Sequence, residues 1–495
     1  MSRNRQNLTA GTRNFLGGGV KKLLINGRWV DARSGETFDI VDPTTEDVVG
    51  AAASADKADV DEAVSAARAT FESDSWSGMS PHARTSMLLA VARLLDAHVD
   101  ELAQLETINN GAPISKTRLQ AAKAVEVFEY FAGWPTKILG DVTPSGPSML
   151  SYVVREPVGV CAQIIPWNGP LLSAAWKIAP ALACGNTVVL KPAEQTPLTA
   201  VRMGELLMEA GVPAGAVNIL TGFGGTAGAA LANHGDIDKV AFTGSTEVGK
   251  KILQDSAGNL KRVTLELGGK SPNILFDDAN LDRAIEGALR AFCSNSGQVC
   301  MAGSRIFVQR GIYDEVIDRL TKAAAAHRIG DPLDEATTMG PLISRRQFER
   351  VNGYVDIGRG DGASLQFGGR RYDGKGFFVE PTLFADVTSS MRIVREEIFG
   401  PVAAIIPFTD EDEVVAMAND TAFGLAAGIW TRDVGRAHSI ARRIRAGSIW
   451  VNSYLIIDPA TPFGGYKQSG IGRELGTGAI DAYTETKSIF VDLGG

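Results

Sequence analysis

The chain has 495 residues, 44% hydrophobic and 21% charged, with a formal net charge of −8. That length exceeds one ordinary hydrophobic core and points to two or three domains, while the acidic balance gives no electrostatic case for nucleic acid or an anionic membrane. Four scattered cysteines fit a reducing cytoplasm, and five histidines without close spacing argue against a metal site.

Residues 1–24 carry Arg3, Arg5, Arg13, Lys21 and Lys22 around Gly17-Gly18-Gly19, with no apolar segment after the basic residues. This is not a secretory leader, and it reads as a solvated, partly disordered arm. Residues 56–105 are helical by pattern, because Val60, Ala63, Val64, Ala67 and Phe71 recur at three- and four-residue spacing. Leu150, Tyr152, Val153, Val158 and Val160 then predict extended strands. Short apolar runs follow at 161–166, 187–190, 216–220 and 239–242, with a helical stretch at 198–210. Such alternation predicts a parallel sheet covered by helices. A second alternating region runs from about Lys270 to Val451, and a late strand begins at Lys487. No run of about 18 apolar residues is present, so nothing spans a bilayer.

Chemistry concentrates in few places. Cys300 lies in Ser-Gly-Gln-Val-Cys-Met-Ala-Gly-Ser-Arg, where Ser296, Gly297, Gln298, Gly303 and Ser304 leave the backbone open and give the thiol little apolar cover. Cys161 and Cys184 sit in apolar, strand-like settings, the usual place of a small buried hydrophobe. Cys293 is seven residues before Cys300, on the same face if one helix carries both. Glu266 ends a strand-like run between two leucines, and a buried carboxylate there is either salt-bridged or a general base with a raised pKa. Asn168 follows the run Ile164-Ile165-Pro166, where a side-chain amide beside a backbone N–H can hold an oxyanion. Gly244, Ser245 and Gly249 mark a strand–glycine–helix junction suited to a phosphate, though not a G-x-G-x-x-G fingerprint. Lys191 and Glu194 follow a strand, the place where a doubly wound sheet sets its ligand.

Seven blocks in this order, PWNGP, KPAEQTP, FTGSTEVG, ELGGKSPN, GQVCMAGSR, EEIFGPV and PFGGYKQSG, resemble the aldehyde dehydrogenase superfamily, with similarity from Ile25 to Val491. The resemblance implies an α/β chain: a Rossmann-like cofactor domain over 25–138 and 159–265, and an α/β catalytic domain over 266–465. A small β oligomerisation arm over 139–158 and 480–495 would make a homo-oligomer, dimer or tetramer. It implies NAD as cofactor, held by Ile164, Pro166, Trp167, Lys191, Glu194, Gly224, Phe242, Gly244, Ser245 and Leu267. Glu397 and Phe399 match the pair that holds the nicotinamide ribose in relatives. Cys300 becomes the nucleophile, Glu266 the base that activates water on the thioester, and Asn168 an oxyanion donor.

Gly169 and Ser294 stand where relatives often carry aromatic rings, while Leu172, Trp176, Ile457 and Phe463 remain as apolar walls. No arginine in these blocks is placed to pair a second carboxylate, so the resemblance leads to a bulky, apolar, uncharged aldehyde. Two rivals stay open. An acylating dehydrogenase handing its acyl group to coenzyme A needs less of Glu266, and a non-catalytic binding or structural protein on this fold needs neither Cys300 nor Glu266.

Overall fold

The structure is a computed structural model and describes residues 7–372 and 374–494. Two large sheets and their covering helices make up most of it. The first has eight strands in the order Gly470–Ile471, Arg262–Glu266, Lys239–Thr243, Val160–Ile164, Thr187–Lys191, Val217–Ile219, Leu23–Ile25 and Arg28–Val30. Its five inner strands are parallel, and both outer ends are antiparallel. Chain order runs outward both ways from Val160–Ile164, so the sheet reverses between that strand and Lys239–Thr243. A ligand crevice opens at such a switch point, outside the carboxyl ends of the strands.

The apolar runs expected at 161–166, 187–190, 216–220 and 239–242 all became these inner strands, buried on both faces. The helical region is broken into Lys57–Glu72, Asp74–Ser77, Pro81–Ala97 and Val99–Asn110. Asp56 opens the first with a reciprocal capping box to Asp59, and Pro81 opens the third at a position that needs no N–H.

The second sheet has seven strands in the order Ser364–Phe367, Thr382–Ala385, Val402–Phe408, Arg305–Gln309, Pro272–Leu275, Ala426–Trp430 and Ser448–Val451, parallel except for its first pair. Met149–Pro157 pairs with Asp141–Thr143 and, over nine residues, with Thr484–Asp492 in a separate three-stranded sheet. Val142 and Phe490 on it are exposed.

Three features depart from the sequence reading. Part of the N-terminal arm is a helix, Ala10–Gly17, capped by Thr9 and buried through Thr12 and Phe15; residues 1–6 of that arm lie outside the described residues. Cys184 caps the helix Pro170–Ala183 rather than lying in a strand. The helix Leu281–Cys293 stops at Cys293, and Asn295, Ser296 and Gly297 turn away in the left-handed region, so one helix does not carry Cys293 and Cys300. Among the described residues no helix is long and apolar enough to cross a membrane.

Candidate active site

Cys300 is the half-exposed cysteine; Cys161, Cys184 and Cys293 are buried. The loop that presents it is pinned from several sides. Asn168 Nδ2 donates to Gln298 O at 2.9 Å, Asn295 Nδ2 donates to Asn168 O at 3.0 Å, and Ser296 Oγ donates to Gly340 O at 2.7 Å. Gln298 Oε1 in turn accepts from the Ile343 N–H at 2.9 Å. Asn168 therefore reaches the thiol loop directly, with one of its two amide N–H groups already committed. Burial pushes the Cys300 thiol up to about 12, and the carboxylates of Glu397 and Glu266 add to the effect, while the Met301 and Cys300 N–H groups oppose it.

Glu266 ends the strand Arg262–Glu266 and is almost wholly buried. Neither carboxylate oxygen has a hydrogen-bond partner. Burial holds its carboxyl well above the usual range, helped by Glu474 and opposed by Lys177 and Arg473. A strand-end salt bridge is therefore not what this glutamate makes. The adjacent Lys177 and Glu474 do pair with each other, both buried. The sequence reading missed them, because a lysine in an apolar helix and a glutamate near the chain end show their pairing only in three dimensions.

Gly269 lies two peptide units past Leu267, and a Cβ there would stand 2.5 Å from Cys300 O. Only a residue without a side chain lets the Glu266 strand end and the Cys300 loop come this close. Glu397 Oε1 accepts from the Gly269 N–H at 3.1 Å, and burial raises Glu397 to about 7. Phe399 is held at φ 59° with its ring edge-on to Trp167, centroids 5.2 Å apart. Such a strained residue persists only where its surroundings enforce it; here Gln347 Nε2 donates to Phe399 O at 2.7 Å.

The other expected cofactor residues lie at or just past the carboxyl ends of the five parallel strands. Ile164 and Phe242 are registered neighbours on adjacent strands, and Leu267 packs in the same apolar cluster. Gly244 and Ser245 follow the strand end, where Ser245 Oγ caps the helix Thr246–Asp255 by accepting from the Val248 N–H. Lys191 is buried and lowered to about 8 by desolvation, with Glu194 opposing that shift from 3.7 Å. Gly224 and Gly225 face open space. Pro166 and Trp167 are half-buried after the strand. The crevice thus offers a helix N-terminus and an open glycine segment for phosphates, a carboxylate for ribose hydroxyls, and Glu397 near the thiol.

The expected apolar substrate residues belong to the core cluster on which Cys300 also packs. Leu172, Trp176, Ile457 and Phe463 belong to one apolar cluster with it, and Trp176 meets Phe463 at 5.3 Å. Val299 and Leu455 join them, unassigned from sequence because they lie within runs that also build the core. Gly169 leaves room. Ser294 accepts from Lys116 Nζ at 2.8 Å, a charge that the sequence reading did not place here.

The chain is similar to known proteins over nearly its whole length. The aldehyde dehydrogenase family matches residues 29–489. The chain is 51% identical to the mitochondrial aldehyde dehydrogenase of Leishmania tarentolae, covering 95% of this chain and 94% of that protein. It is 48% identical to cytosolic aldehyde dehydrogenase 1 of Mus musculus, covering 95% of each. An aldehyde dehydrogenase of Bacillus cereus, solved as an NAD+ complex, superposes with a TM-score of 0.97 at 49% identity, covering 98% of this chain and 99% of that one.

Proposed function

The chain belongs to the aldehyde dehydrogenase family, and we propose that it oxidises an aldehyde to the carboxylic acid with NAD through Cys300. The observation that carries this reading is a partly exposed thiol within electrostatic reach of a buried carboxylate, Glu266, whose oxygens have no hydrogen-bond partner. Cys300 gives its proton to solvent water, the resulting thiolate adds to the aldehyde carbon, and the oxyanion is met by the Cys300 N–H and the remaining amide N–H of Asn168. NAD, when bound, supplies the hydride acceptor. Glu266 then takes a proton from water, and the hydroxide releases the acid from the Cys300 thioester.

The NAD-binding role rests on the crevice at Gly244, Ser245, Gly224 and Glu397, and on the Bacillus cereus relative's description as an NAD+ complex. Glu194 favours NAD over NADP, because a carboxylate repels a 2′-phosphate. Leu172, Trp176, Ile457 and Phe463, with a glycine at position 169, support a bulky aldehyde with an apolar body. The sequence reading favours an uncharged tail, and Lys116 against Ser294 is a basic group that reading did not weigh. We further assign 25–138 with 159–265 to cofactor binding, 266–465 to catalysis, and 139–158 with 480–495 to self-association. Free cysteines suit a reducing cytoplasm.

The test is NADH formation from NAD and a panel of aldehydes, with and without coenzyme A. NADH and free acid without coenzyme A are the expected products. NADH that requires coenzyme A would establish the acylating alternative, which the orphaned Glu266 disfavours; no NADH under either condition would leave the binding-protein alternative.

A further inference from the structure

Lys116 sits in the first turn of the helix Ile114–Ala132, where the helix dipole repels a cation and no acidic residue offsets it. Its ammonium donates to a neutral hydroxyl, Ser294 Oγ. Burial lowers it to about 7, and no neighbouring acid opposes that shift. One turn on, Gln120 lies on the same helix face. Its Oε1 is buried without a hydrogen-bond partner, and its Nε2 is 3.7 Å from where a Cβ on Gly169 would stand. Gly169 immediately precedes the helix whose Leu172 and Trp176 pack in one cluster with Cys300. The segment after Gly169 is therefore apolar and aromatic, while Lys116 lies against Ser294 and the Gln120 Nε2 donor lies near Gly169; the unpartnered atom of Gln120 is its acceptor, Oε1.

We propose that Lys116, with Gln120 and Ser294, receives a carboxylate at the far end of the substrate, so that the chain acts on bulky aldehydes that are also acids. The proposal rests on the reading of Cys300 as the aldehyde-binding thiol. An ammonium has three donors, and Ser294 takes one, which leaves two for an anionic oxygen. A carboxylate there supplies the missing counter-charge, gains from the helix N-terminus, and accepts from the Gln120 amide. A neutral substrate tail would instead bury the ammonium further while leaving it unpaired, the arrangement that polar sites reject most strongly. The space at Gly169 gives the acid's body room to reach Lys116.

The experiment compares kcat/KM for 4-formylbenzoate, its uncharged methyl ester and benzaldehyde. Wild type should prefer the acid over the ester by roughly tenfold, about 1.4 kcal/mol. Lys116→Met should erase that preference, and Lys116→Arg should restore part of it. Lys123→Met, at an exposed lysine on the same helix paired with Glu126, should leave the ratio as in wild type. An unchanged ratio in Lys116→Met, or a wild-type preference for the ester, would overturn the proposal. Should none of the three aldehydes yield NADH, the reading of Cys300 fails instead. Binding of terephthalate to the resting protein, followed by tryptophan fluorescence, then decides the carboxylate site: saturable binding lost in Lys116→Met supports it, and absent or unchanged binding overturns it.

Discussion

At Glu266 a single carboxyl group is tied to both activity and stability. If Glu266 is the base proposed to act after hydride transfer, replacement by Gln should spare the first turnover. The expected trace is a burst of about one NADH per site, then a steady state slower by roughly 10²-fold or more. Loss of the burst itself would assign Glu266 to activating the thiol. The same substitution has a pH signature. Because the folded carboxyl lies well above its ordinary 4.5, the folded state keeps a proton that the unfolded chain has lost. Its stabilising share is present below about 4.5 and disappears as pH rises through the folded value. Glu266→Gln should therefore melt higher than wild type at pH 8, with the gap closing towards pH 5; equal melting temperatures at both would refute this. Glu194→Ser should narrow the preference for NAD over NADP, read as the ratio of kcat/KM for the two cofactors. Cys300 and Glu266 stood out in the sequence because their immediate neighbours were unusual for their residue type. Lys116 did not, since its partner Ser294 is 178 positions away and a lysine near a helix start looks like any solvated charge.

The elements that bring these side chains together are two strand ends and a loop, and their spacing depends on Gly269. Adding a methyl group there sets a Cβ 2.5 Å from Cys300 O. Gly269→Ala should lower kcat about 10²-fold, because a displacement near 1 Å at the reacting group is costly. Cofactor binding, measured by fluorescence, should be far less affected; unchanged kcat would show that the loop relaxes freely. Gly225→Ala, facing open space, should not disturb the thiol. The inner parallel strands were readable because buried strands become short apolar runs. The left-handed turn at Asn295–Gly297 was not, since only its packing against distant segments forces those dihedrals. The strand Gly470–Ile471 has two residues and carries no period to detect.

Across the whole molecule, the alternation of strands and helices announced an α/β architecture but left the strand order open, which is fixed by contacts far apart in sequence. The three-stranded sheet of Asp141–Thr143, Met149–Pro157 and Thr484–Asp492 exposes Val142 and Phe490. Open, apolar strand edges are normally covered. The protein should run as a dimer or tetramer by light scattering at micromolar concentration, and Val142→Lys with Phe490→Lys should shift it towards smaller species. A wild-type mass near 52.4 kDa would contradict this.

The strand that holds Glu266 is flanked by Gly470–Ile471, with Glu266 opposite Gly470. Gly470 adopts φ 148°, and a Cβ would stand 2.1 Å from Leu265 O. Ser469 O accepts from the Leu267 N–H at 2.9 Å, and Ser469 Oγ donates to Gly268 O at 2.7 Å. Synthesis proceeds from the amino end, so Glu266 and Cys300 are both made long before the segment that fastens them. A growing chain on the ribosome can lay down every inner strand of the first sheet while its reactive thiol still lacks a fixed partner. The same late stretch supplies Leu475, Ala479, Ile480 and Tyr483 to the core behind the first sheet, so a ribosome stalled before residue 470 would hold a chain that lacks both the flank of Glu266 and part of that core.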